Sequence, residues 1–145
     1  MRIATEILIE APPERVWAVL TDLDAYSDWN PFIERASGRV RVGERLQLRI
    51  RPPGKSAMGF SPVVLTAQPG AALRWRGRVL LPGVFDGEHA FLLTERDGGT
   101  HLLHEERFAG VLVPLLGRAM EMPTKAGFEA MNQALKARAE RGMAV

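Results

Sequence analysis

The sequence predicts an α+β protein in which a curved antiparallel sheet is covered by one long C-terminal helix, in the order strand, two short helices, six strands, helix. Three observations carry this. Residues Val113 to Arg141 keep a helical period, with Leu116, Met120, Phe128, Met131 and Leu135 on one face and Arg118, Glu121, Lys125, Glu129, Lys136, Arg138 and Glu140 on the other. Residues 33–108 divide into strand-like runs at Val42-Gly43, Pro52-Pro53-Gly54, Pro69-Gly70, Pro82-Gly83 and Asp97-Gly98, each a turn or loop signal. The connections are short, so neighbouring strands are antiparallel.

Residues 3–10 alternate as an opening strand. Ala11-Pro12-Pro13-Glu14 then starts a helix, with proline in the first turn where its missing N–H costs nothing and an acid near the positive helix end. That helix carries Val16, Trp17, Val19 and Leu20. Thr21-Asp22 caps a second short helix, Asp22 to Ser27. It gives way to Asp28-Trp29-Asn30-Pro31-Phe32, because the residue before proline is pushed out of helical geometry. The strands that follow are expected at 33–40, 44–51, 60–67, 71–79, 84–95 and 99–108, about seven with the first. Residues Pro52 to Gly59 form the longest irregular piece. In the last helix Pro123 removes a backbone donor, which implies either a kink or a short first helix followed by a main one from about Thr124.

A chain of 145 residues is expected to form one domain, residues 1–145, with a core large enough to need no staple. The absence of cysteine excludes disulfides and thiolate chemistry. Met1 runs directly into strand-like alternation, so neither a signal peptide nor membrane insertion is expected and a cytoplasmic location is the default. Nineteen basic and seventeen acidic residues leave a net charge of only +2. Arginines 45, 49 and 51 alternate with Leu46, Leu48 and Ile50, which reads as a solvated sheet face, so no nucleic-acid partner is expected. There is no Gly-rich phosphate loop, no Gly-x-Ser-x-Gly elbow and no His-Glu-x-x-His, so nucleotide-dependent or hydrolytic chemistry is not expected.

The segment Ala11-Pro12-Pro13-Glu14-Arg15-Val16-Trp17, followed by Asp22, Tyr26 and Trp29-Asn30-Pro31, resembles the opening of the START-like or SRPBCC superfamily. His101 to Phe108 with Gly110, and Gly127 to Lys136, resemble its close. Members include polyketide cyclase/dehydrase-like proteins, coenzyme-Q-binding proteins and the Bet v 1 allergens. The resemblance covers essentially the whole chain and implies a helix-grip fold, in which the sheet wraps the C-terminal helix around an internal cavity for an apolar ligand. Family activities range from binding and transport to cyclisation, and the fold does not choose among them.

Asp97-Gly98 between two strand-like runs signals a tight hairpin. If Arg96 pairs with Gly99, then Leu93 faces Leu102, Phe91 faces His104 and His89 faces Glu106. This set is more apolar than its alternate, so it looks inward with Phe85 and Phe108. His89, His104 and Glu106 thus share a concave, mostly hydrophobic wall, where an imidazole beside a carboxylate can serve as an acid–base pair or only stabilise the hairpin. No metal or cofactor is expected, since nothing in the spacing of these three residues demands one.

The opposing wall is expected from Leu46, Leu48, Ile50, Leu73, Trp75 and Val79, with Leu116, Met120, Phe128 and Met131 from the helix. Trp29, Asn30 and Phe32 follow a helix break and form one mouth of a cavity, with Asn30 offering a hydrogen bond. The candidate ligand contacts are therefore Trp29, Asn30, Phe32, Leu48, Ile50, Trp75, Phe91, Met120, Phe128 and Met131. The leading functional reading is a carrier or sensor, monomeric or homodimeric, for a lipid, isoprenoid or aromatic polyketide-like molecule. The alternatives are a cyclase/dehydratase-type enzyme using the His–Glu pair, and a partner-binding module like the chaperone-activating members of the superfamily.

Overall fold

Two antiparallel sheets wrap one helix in the computed structural model, which describes residues 1–79 and 81–141. Strand β1 (Arg2–Ile9) leads into α1 (Pro13–Thr21), a 3-10 turn at Leu23–Ala25 and the single-turn α2 (Tyr26–Trp29). Then come β2 (Ile33–Ser37), β3 (Gln47–Ile50), β4 (Met58–Phe60), β5 (Val63–Gln68), β6 (Ala72–Val79), β7 (Phe85–Arg96) and β8 (Gly99–Ala109). Helix α3 (Val113–Arg141) closes the chain. The larger sheet runs β1-β8-β7-β6-β5 and the smaller runs β2-β3-β4. This is the helix-grip, Bet v 1-like arrangement.

The strand expected at 60–67 is two strands, so the sheets hold eight strands rather than seven. Pro62 causes the break, because proline has no N–H to give to a ladder. Its carbonyl still accepts from Leu46 N at 2.8 Å, and Val64 N donates to Glu44 O at 2.9 Å, so the two sheets meet in one curved surface. The short helix expected at Asp22 to Ser27 is instead the 3-10 turn followed by α2, and Asn30 ends it before Pro31.

The hairpin forms as its turn residues require. Asp97 and Gly98 both have positive φ, 54° and 82°, the signature of a two-residue turn matched to strand twist. Arg96 pairs with Gly99 and the register holds without a slip to Asp86 opposite Ala109. On the outer face Arg2 pairs with Glu105, Arg74 with Glu88 and Arg78 with Asp86, while Glu34 takes both Arg49 and Arg51.

Helix α3 runs unbroken through Pro123. The carbonyl deprived of a partner by proline belongs to Ala119, which is exposed, so water can satisfy it. The core lies between the concave face of the larger sheet and the second half of α3, where Phe128, Met131 and Leu135 are fully buried. Gly127 makes this approach possible: a Cβ there would stand 2.3 Å from the Phe32 ring, which packs edge-on against Phe128.

Candidate functional site

Alternation on β7 and β8 turns Phe85, Gly87, His89, Phe91 and Leu93 inward, opposite Phe108, Glu106, His104 and Leu102. Polar groups therefore interrupt an otherwise apolar wall, and burying them is costly unless each finds a partner. They find one another. His89 Nδ1 lies 3.3 Å from Glu106 Oε1, and His89 Nε2 lies 2.7 Å from His104 Nε2. His104 Nδ1 lies 2.7 Å from Asn132 Oδ1, across the interior on α3. Asn132 Nδ2 donates to Thr5 Oγ1 at 2.8 Å, and the Thr5 hydroxyl donates to His104 O at 3.1 Å.

The direction of this chain follows from its end. Thr5 gives its only proton to a carbonyl, so its oxygen accepts and the Asn132 NH2 must face it. The Asn132 oxygen then faces His104 Nδ1, which must carry a proton. Burial holds the His104 imidazole well below its ordinary titration range, neighbouring His89 pushes the same way, and the Asn132 hydrogen bond opposes them. His104 is therefore neutral, its Nε2 is a bare acceptor, and His89 Nε2–H donates to it. In this arrangement His89 Nδ1 carries a lone pair, so its 3.3 Å contact with Glu106 Oε1 is a hydrogen bond only if one further proton lies between them.

His89 and His104 are almost fully buried, whereas the Glu106 side chain keeps 19% of its surface exposed although it faces inward. Glu106 lies toward the end of β8 that leads into α3, the less tightly covered end of the grip. There the inward-facing Ile50, Phe60, Val113 and Met120 are only half-buried. Beside Glu106 the concave face carries no side chains at two paired positions, Gly77 on β6 and Gly87 on β7. A Cβ at Gly87 would stand 2.4 Å from Glu106 Oε2, so the carboxylate lies over bare backbone, and Gly77 has nothing closer than Pro62 at 4.0 Å. Glycine inside a strand marks a place where something approaches the backbone closely. Met58, Val79, Leu81, Val111, Leu115, Leu116 and Met122 are exposed apolar side chains.

The sequence-derived contacts thus divide. Ile50, Met120 and Glu106 are only partly buried, and His89, buried against Trp75, links Glu106 to the packed centre. Leu48, Trp75, Phe91, Phe128 and Met131 are buried together with His104 in the filled centre of the grip, where Trp75 stacks on His89 and Phe128 on His104. Leu116 and Val79, expected to face the interior, are both 41% exposed. Phe32 is packed on Gly127. Asn30 spends its oxygen on the backbone N–H groups of Phe32 and Ile33, while its Nδ2 and Trp29 Nε1 are buried donors without a partner among the described residues. Gly77, Gly87, Asn132 and Thr5 are additions that the sequence reading missed.

Two open grooves lie elsewhere. One of about 360 Å³ is lined by Trp17, Asp22, Asp24, Val40 and Pro69. The other, of about 810 Å³, runs between the free edge of β1 and α3 and touches Thr5 and Asn132 from outside. Among the described residues no three ligating side chains converge as a metal would require. The histidine nitrogens face each other instead.

Residues 1–140 match the family model described as polyketide cyclase / dehydrase and lipid transport. The chain belongs to this family. No curated protein matches it. Among solved structures it is similar to protein MLL2253 from Mesorhizobium loti, with a TM-score of 0.77 and 20% identity over 100% of both chains. The Zhui aromatase/cyclase from Streptomyces sp. R1128 gives 0.77 and 19%, covering 100% of this chain and 96% of that one. The di-domain aromatase/cyclase StfQ of the steffimycin pathway gives 0.78 and 16%, covering 99% of this chain and 52% of that one. At these identities the structural likeness shows the fold. No helix among the described residues is long and apolar enough to cross a membrane.

Proposed function

We propose that this family member binds a hydrophobic small molecule, of lipid, isoprenoid or aromatic polyketide-like character, at the open end of the grip. The observation that carries this is Glu106: an inward-facing, solvent-reached carboxylate lying on bare glycine backbone inside an apolar rim. The apolar body of the ligand covers the half-buried Ile50, Phe60 and Met120, and its one polar group meets Glu106. Isothermal titration and native mass spectrometry with aromatic polyketides, quinones and fatty acids test the reading. The expected result is one ligand per chain, with affinity lowered about tenfold in Glu106→Gln, the scale of one hydrogen bond to a charged group. If nothing in the panel binds, or if Glu106→Gln binds as well as wild type, the reading fails.

A second reading, conversion of the ligand by a cyclase/dehydratase-type step, is favoured by the His89–Glu106 hydrogen bond. A proton held by the pair goes from Glu106 to the departing ligand hydroxyl, which leaves as water, and the pair regains a proton from the neighbouring ligand carbon as the C=C bond forms. This reading expects Glu106→Gln and His89→Ala to lose turnover while retaining ligand. Joint loss of binding and stability in both variants would make the pair structural.

A further inference from the structure

We infer that Asn132 and Thr5 are positioning residues that decide whether the Glu106–His89 pair acts as an acid or only as a base. The inference rests on reading Glu106 and His89 as the working pair.

His104 is fully buried on β8. From β7 it meets His89 and Phe91, and from α3 it meets Phe128 and Asn132. Thr5 reaches its backbone carbonyl from β1. The aromatic rings offer its ring nitrogens no conventional hydrogen bond, and the only other titratable group in line is Glu106, behind His89. A neutral imidazole has two tautomers, and the one it adopts is set by the bond its other nitrogen makes. Here that bond goes to Asn132 Oδ1, and Asn132 is itself oriented by Thr5, whose hydroxyl is tied to the His104 carbonyl.

In the direction deduced from Thr5, His89 spends its Nε2 proton on His104, so a hydrogen bond from its Nδ1 to Glu106 Oε1 needs one further proton between them. If the chain ran the other way, His104 would donate from Nε2 and His89 would have to accept there. His89 would then carry its single proton on Nδ1 and give that bond to a Glu106 carboxylate. The pair would hold no additional proton. The two directions differ by one proton at Glu106, the most exposed member, and the choice is made by two residues that do not hydrogen-bond to Glu106.

Long-range proton–nitrogen correlation spectra of ¹⁵N-labelled full-length protein read the tautomers directly, with no ligand present. In wild type His104 is expected as a single tautomer, protonated at Nδ1 and bare at Nε2, and titrating well below the ordinary imidazole range because it is buried. Thr5→Val frees the Asn132 amide to turn, so the single tautomer should be lost and both forms appear, while Thr5→Ser restores it. Asn132→Asp places a carboxylate against Nδ1 and should move the His104 titration upward. A wild-type His104 protonated at Nε2 overturns the inference. So does a Thr5→Val protein that keeps the single tautomer, and this pair decides the matter if Asn132→Asp does not fold. Loss of ligand binding leaves these spectra unchanged, so failure of the binding reading and failure of the tautomer assignment are told apart.

Discussion

From Thr124 onward α3 buries Thr124, Gly127, Phe128, Met131, Asn132, Leu135 and Ala139, whereas from Val113 to Pro123 it buries only Gly117. The exposed half is not the polar half. It contains Val113, Leu115, Leu116, Met120 and Met122 with only Arg118 and Glu121 as charges, and Leu115 and Met122 are 75% and 81% exposed. One half of the helix is core, held by the sheet on one side and Phe32 on the other. The other half overhangs the open end, where Gly117 rests on Met1. The polar chain crosses the boundary between the two, with Asn132 in the packed half and Glu106 facing the open end.

The contrast is broken most severely by truncating the packed half. Phe128→Ala removes a ring stacked on His104 and edge-on to Phe32, and should cost about 3–5 kcal/mol in denaturant unfolding. Equal destabilisation by Leu115→Ala would erase the distinction between the halves. Gly127→Ala is the next test. A helix gains about 1 kcal/mol from this change in the open. Here the added methyl meets Phe32, and a net loss of about 1–3 kcal/mol in thermal unfolding is expected. A rise in Tm would show that Phe32 can move aside.

The third test concerns pH. His104 in the folded protein titrates below the ordinary value of 6.5, so below that value the unfolded chain binds a proton that the folded one refuses. Stability is therefore full above about pH 6.5 and falls as pH drops, until the depressed folded value is reached. The slope from one such proton is at most about 1.4 kcal/mol per pH unit. His104→Asn should lose this part of the slope, and an unchanged profile would mean that the imidazole is not held neutral. The smallest stability effect is expected from Leu115→Glu combined with Met122→Glu, within about 0.5 kcal/mol of wild type. The same double variant should lose most of its affinity for apolar ligands in titration calorimetry.

How far these features could be read in advance depends on the range of the interaction. The β7–β8 register was legible because two adjacent residues, Asp97 and Gly98, fix the turn, and a period of two then carries the pairing to His89 and Glu106. The split at Pro62 is also written locally, as a proline inside the strand expected at 60–67. Gly77 and Gly87 needed the β6–β7 pairing before their adjacency meant anything. Asn132 sits beside Met131 at the margin of the helical stripe, and no local pattern says that a histidine 28 positions earlier faces it. Leu116 shows the converse limit. Periodicity tells which face a residue shares, and not whether a sheet reaches far enough to cover it.

The most direct test of the open-end site is photo-crosslinking with a long-chain alkyl diazirine ketone, followed by peptide mass mapping. The labelled positions should fall at Ile50, Phe60, Leu116, Met120 and Glu106, and labelling should drop when the polyketide or fatty-acid panel is added as competitor. Labelling confined to the groove between β1 and α3, or spread evenly over the exposed surface, would contradict a binding site built on Glu106 and the two glycines.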